Sequence, residues 1–239
     1  MEAAVGCAEI EVLGSVSIET KKGMHSNLLP TVLLEILEKA GLTLSDLGGL
    51  VVGLGPGSFT GLRTGVATMA AMAFAARLPL VGDSSLGSMA LEAALEPCLM
   101  EGAVSATPIL VPVLDARRGQ VYAGFYQCEG AGQPRSSAKD GDETCGVRSP
   151  GVCRLEADAV IEPSALLERL DSYERDAIVF GAGLTAHPVL AGDSRARKCA
   201  AALPSASALA RLCVSRVDVF KKEALFLVNP SYVRRKVVQ

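Results

Sequence analysis

A glycine-rich loop is the first segment of this sequence whose residue types could bind a ligand. Residues 55–63 read GPGSFTGLR and join a predicted strand to a predicted helix. Backbone amides and the helix dipole at such a junction attract anions. The loop lacks the Lys-Ser or Lys-Thr of a Walker A motif, and its glycine spacing departs from the dinucleotide-binding fingerprint. A nucleotide, anion or partner contact would involve Gly55, Gly57, Ser58 and Arg63.

The same loop has a second interpretation as a tight turn. Glycine permits sharp turns and close packing of a helix on a sheet. Ser58 or Thr60 would then cap the helix that follows by accepting hydrogen bonds from its free amides. The sequence leaves both interpretations open.

A charged group follows a second predicted strand, at Asp115, Arg117 and Arg118. An acidic side chain at a strand end is suited to magnesium binding or proton abstraction in phosphoryl transfer. Arginine binds phosphate or a partner's carboxylate in bidentate fashion. An Asp that stabilises a hairpin turn is an equally good explanation. We therefore treat the three residues as a possible nucleotide, anion or partner contact.

Metal chemistry is not predicted. The histidines are His25 and His187, far apart in the sequence, and there is no His-Glu-x-x-His motif. Cys128, Cys145 and Cys153 lack the spacing of a zinc finger or ribbon. The seven cysteines form no Cys-x-x-Cys pair, so we expect reduced thiols. With no signal peptide or membrane-spanning run in view, we expect a cytoplasmic protein without a membrane segment.

Strands and helices alternate along the chain, which favours an α/β fold. A polar stretch, residues 128–151, has little periodicity and is predicted to be a mobile surface insertion. Gly41 is well placed to end the first helix. The predicted strands are residues 5–13, 15–20, 50–54, 78–81, 109–114, 120–127 and 177–180, and the predicted helices are residues 26–40, 60–77, 84–95 and 205–217.

The composition argues against a protein that grips nucleic acid by itself. The chain has 239 residues, 49% of them hydrophobic, and a formal net charge of -3. Proteins that bind the phosphate backbone directly usually carry a strongly basic balance. Any contact with RNA is therefore expected to pass through a partner.

The first two predicted helices carry more apolar surface than one docking face needs. In the first helix the apolar side chains cover an arc of roughly 240°, against about 100° for an ordinary surface helix. The second helix has no charge between Arg63 and Arg77. Surplus apolar faces on neighbouring helices indicate a protein–protein interface, although burial inside one domain is the alternative. The predicted interface residues are Leu29, Val32, Leu33, Ile36, Leu37, Met69, Met72 and Ala73.

Several segments resemble the TsaB family, also called YeaZ or glycoprotease-like. They are HSNLLP from His25, GPGSFTGLR from Gly55, PLVGDSSL from Pro79, DARRGQVY from Asp115, PSA from Pro204 and PSYVRR from Pro230. They occur in the family's order and cover most of the chain outside the predicted insertion.

The resemblance implies two RNase-H-like lobes of the actin, Hsp70 and sugar-kinase (ASKHA) superfamily. We expect an N-terminal lobe over residues 1–104 that carries the two interface helices. The C-terminal lobe would span residues 105–239, with a polar insertion near 128–155 and a last helix that packs back on the first lobe. Family members usually begin with a strand ending in Asp-x-Ser or Asp-x-Thr. Here that first strand and its phosphate loop are predicted to be missing.

The resemblance also implies a role. This chain would be a non-catalytic subunit that pairs with TsaD, together with the ATPase TsaE. The complex would place threonylcarbamoyl groups on the adenosine next to the anticodon, in tRNAs that read codons starting with A. ATP and metal would lie in the partner subunits, and tRNA would be met only through the complex. The alternatives are a small-molecule kinase of the same superfamily and a homodimeric binding module that uses the same two helices.

Overall fold

The computed structural model describes residues 12–17, 25–96, 108–128, 151–173, 175–199 and 201–214. Strands and helices alternate over this part of the chain, so the α/β class is confirmed. The elements are α1 (His25–Lys39), a short 3-10 helix (Leu44–Asp46), β1 (Leu50–Gly55), α2 (Phe59–Ala76), β2 (Leu80–Ser84), α3 (Ser85–Ala94), β3 (Ile109–Arg117), β4 (Gln120–Cys128), β5 (Val152–Ile161), α4 (Pro163–Asp171), β6 (Ala177–Phe180), α5 (Gly183–Ala186), α6 (Pro188–Ala191) and α7 (Ala206–Val214).

The strands form two sheets. In the first sheet β1 and β2 are parallel. The second sheet has the order β5-β4-β3-β6, in which β3 pairs parallel with β6 and the other pairs are antiparallel. The assignment of these sheets to two RNase-H-like lobes stays a prediction.

Local signals explain where the helices begin and end. Gly41 follows α1 with φ +70° and donates its amide to the carbonyl of Glu38, as expected for a glycine that ends a helix. The Ser84 hydroxyl accepts the amides of Leu86 and Gly87 and so caps α3. Because these signals depend on residues close in sequence, the helix boundaries agree with the predictions to within a few residues.

Several elements differ from the sequence-based expectation. Residues 152–155 belong to strand β5, so the predicted insertion near 128–155 is wrong at its C-terminal end. Helices α4, α5 and α6 and the short 3-10 helix were not predicted either. Residues 129–150 lie outside the described residues, and so do most of the strands predicted at 5–13 and 15–20. The described part, residues 12–17, forms no strand, and Val12, Leu13 and Val16 are exposed there rather than paired in a sheet.

The first sheet is covered by α2, with α1 packed beside it. Leu29 and Leu33 of α1 pack against the buried core of this layer. Met69 and Ala73 of α2 belong to that core and are 5% and 0% exposed. Burying each large apolar side chain stabilises the fold by about 1.5–3 kcal/mol. One face of α1 is therefore used inside the chain itself.

The second sheet is covered on both faces, which explains the nearly continuous apolar run of β3. Leu110 faces a core with α3 and α7, whereas Ile109 and Val111 face a core with α4. Helix α3 contacts both sheets, and α7 packs against α3, β1 and β2. These two helices therefore connect the sheets. In the described part of the chain, no helix has the length and apolar character that a bilayer span requires.

Candidate functional site

The glycine-rich loop connects the end of β1 to α2. Gly55 is buried with φ +103°, a backbone conformation that suits glycine, and its peptide bond to Pro56 is cis. The Ser58 hydroxyl accepts the Gly61 amide at 3.4 Å and caps α2. The capping interpretation is thus confirmed, whereas anion binding by Gly55, Gly57, Ser58 and Arg63 stays a prediction. Ser58 and Arg63 are exposed, so both side chains can be reached from solvent.

A buried polar cluster lies where β2 ends and α3 begins. The Ser84 hydroxyl donates to Oδ2 of Asp158 at 2.5 Å, and the Tyr126 hydroxyl donates to Oδ1 of the same carboxylate at 2.8 Å. Arg154 lies nearby, with Nη2 at 3.7 Å from Asp83 Oδ1 and 3.9 Å from Asp158 Oδ2. The cluster therefore joins the first sheet to strands β4 and β5 of the second.

Burial determines the protonation behaviour of this cluster. It raises the pKa of the Asp158 carboxyl above its ordinary value of 3.8, against the opposing effects of Arg154 and of hydrogen bonds from Ser84 and Tyr126. Burial and the neighbouring Asp158 also raise the pKa of the Tyr126 phenol. Burial therefore makes both groups harder to ionise than they are in water.

The hydrogen bonds of the cluster leave little room for nucleophilic chemistry. Both oxygens of Asp158 already accept hydroxyl protons. The Ser84 oxygen accepts the amides of Leu86 and Gly87 and lies 3.2 Å from the Tyr126 hydroxyl. A serine that acts as a nucleophile needs a free lone pair and a base to take its proton. In this arrangement Ser84 links elements of the fold.

The sequence analysis missed this cluster because it missed β5. The pairing of β4 with β5 is interrupted between Ala123 and Phe125 and again between Phe125 and Tyr126. Bulges of this kind break the two-residue alternation of a strand. As a result Arg154 and Asp158 meet Tyr126, while Glu156 meets Arg169 and Tyr173 elsewhere. One signal of the cluster was present in the sequence: the polar pair Asp83-Ser84, which ends the otherwise apolar strand β2.

A second polar group lies at the tip of the β3–β4 hairpin, which we define as residues 115–119. The predicted hairpin is confirmed. Asp115 Oδ1 accepts the Arg117 amide at 2.8 Å, and its Oδ2 lies 3.7 Å from Arg117 Nε. The turn-forming role of Asp115 is therefore confirmed, and its contact with a nucleotide, anion or partner stays a prediction.

The backbone of the hairpin tip is strained. Arg117 and Arg118 have φ angles of +64° and +56°, a region that residues other than glycine seldom adopt. Each such residue costs roughly 1–2 kcal/mol. Both side chains are exposed. The hairpin tip thus presents two guanidinium groups to solvent from a fixed turn.

His187 lies beside the hairpin tip, between α5 and α6. It is 9% exposed, and its Nε2 is 3.4 Å from Asp115 Oδ1. Within the described residues Nε2 has no hydrogen-bond partner. The sequence analysis found the residue but did not connect it with Asp115, because 72 positions separate them.

The predicted interface residues divide into two groups. Met69 and Ala73 are core residues, and Leu29, Leu33 and Met72 pack against the same core, so these five are used largely inside the chain. Val32, Ile36 and Leu37 are half-buried. The large apolar side chains that these helices expose are instead Leu34, Phe59 and Phe74, at 52%, 50% and 68% exposure. The partner-facing role of the two helices stays a prediction.

The cysteines of the described part form no disulfide. Cys128, Cys153, Cys199 and Cys213 are free thiols there, and burial raises the pKa of Cys128. Cys145 lies outside the described residues. No group of three or more His, Cys, Asp or Glu side chains suited to a metal occurs within the described residues.

The sequence matches a family model described as TsaD, tRNA N6-adenosine threonylcarbamoyltransferase, over residues 12–144. This match spans more than half of the 239 residues. Together with the α/β fold and the glycine-rich loop, it defines the class: a TsaD-like protein of the glycoprotease-like kind.

Curated relatives and solved structures narrow this class. The Escherichia coli protein named tRNA threonylcarbamoyladenosine biosynthesis protein TsaB is 29% identical over 89% of this chain and 82% of its own length. The Bacillus subtilis protein of the same name is 36% identical over 45% of this chain and 42% of its own length. The structure of YeaZ from Pseudomonas aeruginosa superposes with a TM-score of 0.61 at 25% identity, over 87% of this chain and 85% of that one.

A further Pseudomonas aeruginosa structure, described as similar to peptidase YEAZ, has a TM-score of 0.67 at 24% identity. It covers 89% of this chain and 85% of its own and supports the fold. The chain belongs to the TsaB/YeaZ family.

Proposed function

We propose that this chain is a non-catalytic subunit in the biosynthesis of threonylcarbamoyladenosine in tRNA, and that it binds TsaD through α1 and α2. TsaE would be the second partner. ATP and metal would lie in the partner subunits, and tRNA would be bound only by the assembled complex. The Escherichia coli and Bacillus subtilis relatives, both named for threonylcarbamoyladenosine biosynthesis, support the pathway. We further propose a cytoplasmic location, and two RNase-H-like lobes centred on the two sheets.

The observation that carries the partner assignment is the apolar surface of the helix pair. Leu34 of α1 and Phe59 and Phe74 of α2 are at least half exposed, although α1 already packs on α2 and α2 on the first sheet. Large exposed apolar side chains on adjacent elements are typical of protein-binding surfaces. Aromatic residues in particular contribute much of the binding energy at such surfaces.

Contacts at the strand ends favour a supporting role over the small-molecule kinase. Asp115 Oδ1 already accepts the Arg117 amide and stabilises the hairpin turn. A catalytic base must instead be free to accept a substrate proton. Asp158 is committed to two hydroxyl donors. The homodimer remains the competing proposal, because a second copy would bury the same helix faces.

The test is reconstitution with the partner proteins of the same organism. The full chain is co-purified with TsaD, and tRNA modification is then measured with TsaE, ATP and the carbamoylated precursor. Modification that requires this chain, together with a stable complex, is the expected result. A chain that does not bind TsaD, or TsaD that modifies tRNA equally well alone, would refute the proposal. Sedimentation of the chain alone separates self-association from pairing with TsaD.

A further inference from the structure

The imidazole of His187 has a buried nitrogen whose role the proposed function does not explain. Its Nε2 is buried and has no hydrogen-bond partner within the described residues. Buried polar atoms in proteins nearly always have a partner, and an exception indicates an alternative state or a role in function. A carboxylate oxygen, Asp115 Oδ1, lies 3.4 Å from Nε2. Nε2 therefore faces a carboxylate without bonding to it.

Asp115 is engaged with Arg117 instead. Its Oδ1 accepts the Arg117 amide at 2.8 Å, and its Oδ2 lies 3.7 Å from Arg117 Nε. The Arg117 side chain is 84% exposed, so the pairing through Nε is only a loose contact. A small rotation of the carboxylate would give the unpaired Nε2 a partner and release the guanidinium from Asp115.

We infer that the hairpin tip binds carboxylate groups of a protein partner through Arg117 and Arg118, and that Asp115 exchanges its contact with the Arg117 side chain for a hydrogen bond with His187 when the partner binds. In the free chain the Asp115 carboxylate contacts the Arg117 guanidinium. On binding, the partner's carboxylate takes the place of Asp115, and Asp115 accepts a hydrogen bond from Nε2–H of His187. His187 is thus a positioning residue that makes Arg117 available at little cost.

The chemistry of the tip favours a protein carboxylate over RNA. Guanidinium groups bind carboxylates in bidentate geometry. Two arginines on one turn match one or two acidic side chains, whereas a phosphate track needs a longer row of basic residues. The chain as a whole has a net charge of -3, which disfavours direct contact with RNA. The inference rests on the proposed function in that TsaD is the expected source of the carboxylates.

The experiment measures the affinity of the full chain for TsaD by calorimetry, using four forms of the chain. Asp115→Asn keeps the oxygen that accepts the Arg117 amide but removes the charge that competes for the guanidinium, so binding should tighten about threefold. His187→Phe leaves Asp115 without its second partner and should weaken binding about threefold. In the double variant the His187→Phe effect should vanish. These sizes follow from exposed ion pairs, which change affinity up to about fivefold.

The decisive comparison is the loss of affinity caused by His187→Phe in the native chain and in the Asp115→Asn variant. If His187 were merely structural, its replacement would lower the affinity equally in both. His187→Gln, which can offer an amide N–H, should restore binding. Should His187→Phe fail to fold, this variant still tests the inference. Arg117→Gln should weaken binding about fivefold. Arg175→Gln is the matched control, since Arg175 is exposed at the opposite end of the second sheet and should change nothing.

A second arm keeps this inference separate from the proposed function. The isolated chain is titrated with a hexaglutamate peptide and with a hexauridylate RNA, and binding is followed by the imidazole resonances of His187. Movement of the Nε2 signal with the peptide supports the exchange even if TsaD does not bind. Movement with RNA only would overturn the carboxylate assignment. Additive effects of Asp115→Asn and His187→Phe on TsaD binding, or a silent imidazole with both probes, would overturn the exchange itself.

Discussion

Some single residues in this protein are tightly constrained where the two sheets meet. Gly124 illustrates the point: a Cβ atom there would lie 2.5 Å from the Tyr126 ring and 2.8 Å from Asp158 Oδ1. The missing side chain gives Tyr126 and Asp158 the space in which they form their hydrogen bond. A glycine in a strand is often explained by such a close approach rather than by backbone flexibility.

Gly124→Ala is therefore expected to lower the free energy of unfolding by about 1–3 kcal/mol, the usual cost of overpacking a core. Chemical denaturation of the isolated chain measures it. Gly65→Ala is the matched control, because Gly65 lies inside α2 with no atom within 4 Å of its Cβ position. That substitution should stabilise the chain by about 0.5–1 kcal/mol. Equal effects of the two substitutions would show that the close approach at Gly124 is not real.

The buried Asp158 carboxyl predicts a pH dependence of stability. Since burial raises its pKa in the folded chain, the folded state binds this proton more tightly than the unfolded state does. This contribution to stability is complete below the ordinary pKa of 3.8 and is lost as the pH rises through the folded pKa.

Asp158→Asn mimics the protonated form and should remove this dependence. The stability of the variant relative to the native chain should therefore increase as the pH is raised from about 4 to 7. Urea denaturation at several pH values measures the difference, in which contributions from other groups cancel. A difference that stays constant, or that shrinks with rising pH, would contradict the raised pKa.

At the scale of elements, α1 and α2 each have two apolar faces with different uses. The inner faces contribute Leu33 and Met69 to the core beside the first sheet. The outer faces expose Leu34 and Phe74. A charge placed on the inner face would unfold the layer, so Leu33→Glu cannot test the interface cleanly. A charge on the outer face can.

Phe74→Glu is expected to abolish co-purification with TsaD while changing the free energy of unfolding by no more than about 0.5 kcal/mol, because Phe74 is 68% exposed. Pull-down and thermal unfolding give the two readings. Leu203→Glu is the matched control, since Leu203 is 62% exposed and lies just before α7, outside both helices of the pair. Unchanged TsaD binding by the Phe74 variant would refute the outer face as the interface.

At the scale of the whole molecule, the two sheets are held together by α3, α7 and the buried polar cluster. Arg154 is the cation of that cluster and lies within 4 Å of two carboxylates, those of Asp83 and Asp158. A buried charge that loses its partner is strongly destabilising, even where the intact pair adds little stability. The cluster is therefore a point at which one substitution affects both sheets.

Arg154→Met should destabilise the chain by about 3–5 kcal/mol, because it leaves two buried carboxylates without a counter-charge. Adding Asp83→Asn and Asp158→Asn should recover most of that loss, since it removes the charges that need pairing. Equilibrium denaturation of the single and triple variants measures both effects. A triple variant no more stable than the single one would mean that Arg154 stabilises the fold mainly through packing on the Tyr126 ring, 5.8 Å away.

Features that depend on neighbouring residues could be predicted from the amino-acid sequence. The period of the apolar residues predicted α1, α2, α3 and α7, and the capping residues Gly41 and Ser58 mark the ends of two of them. The hairpin at Asp115 followed from its turn residues. The family resemblance rested on short motifs of the same local kind. All of these signals lie within a few residues of the structure that they specify.

Which apolar faces are buried, and which polar residues come into contact, followed from tertiary packing. Bulges in β5 interrupt the alternation by which a strand is predicted, and they place Arg154 and Asp158 on the side of the strand that contacts Tyr126. Ser84 and Asp158 are 74 positions apart, yet they share a hydrogen bond. Met69 and Phe74 have similar apolar character in one helix, but the first is in the core and the second is exposed. Contacts of this kind depend on how distant elements pack, and packing is determined by the whole chain at once rather than by any local pattern.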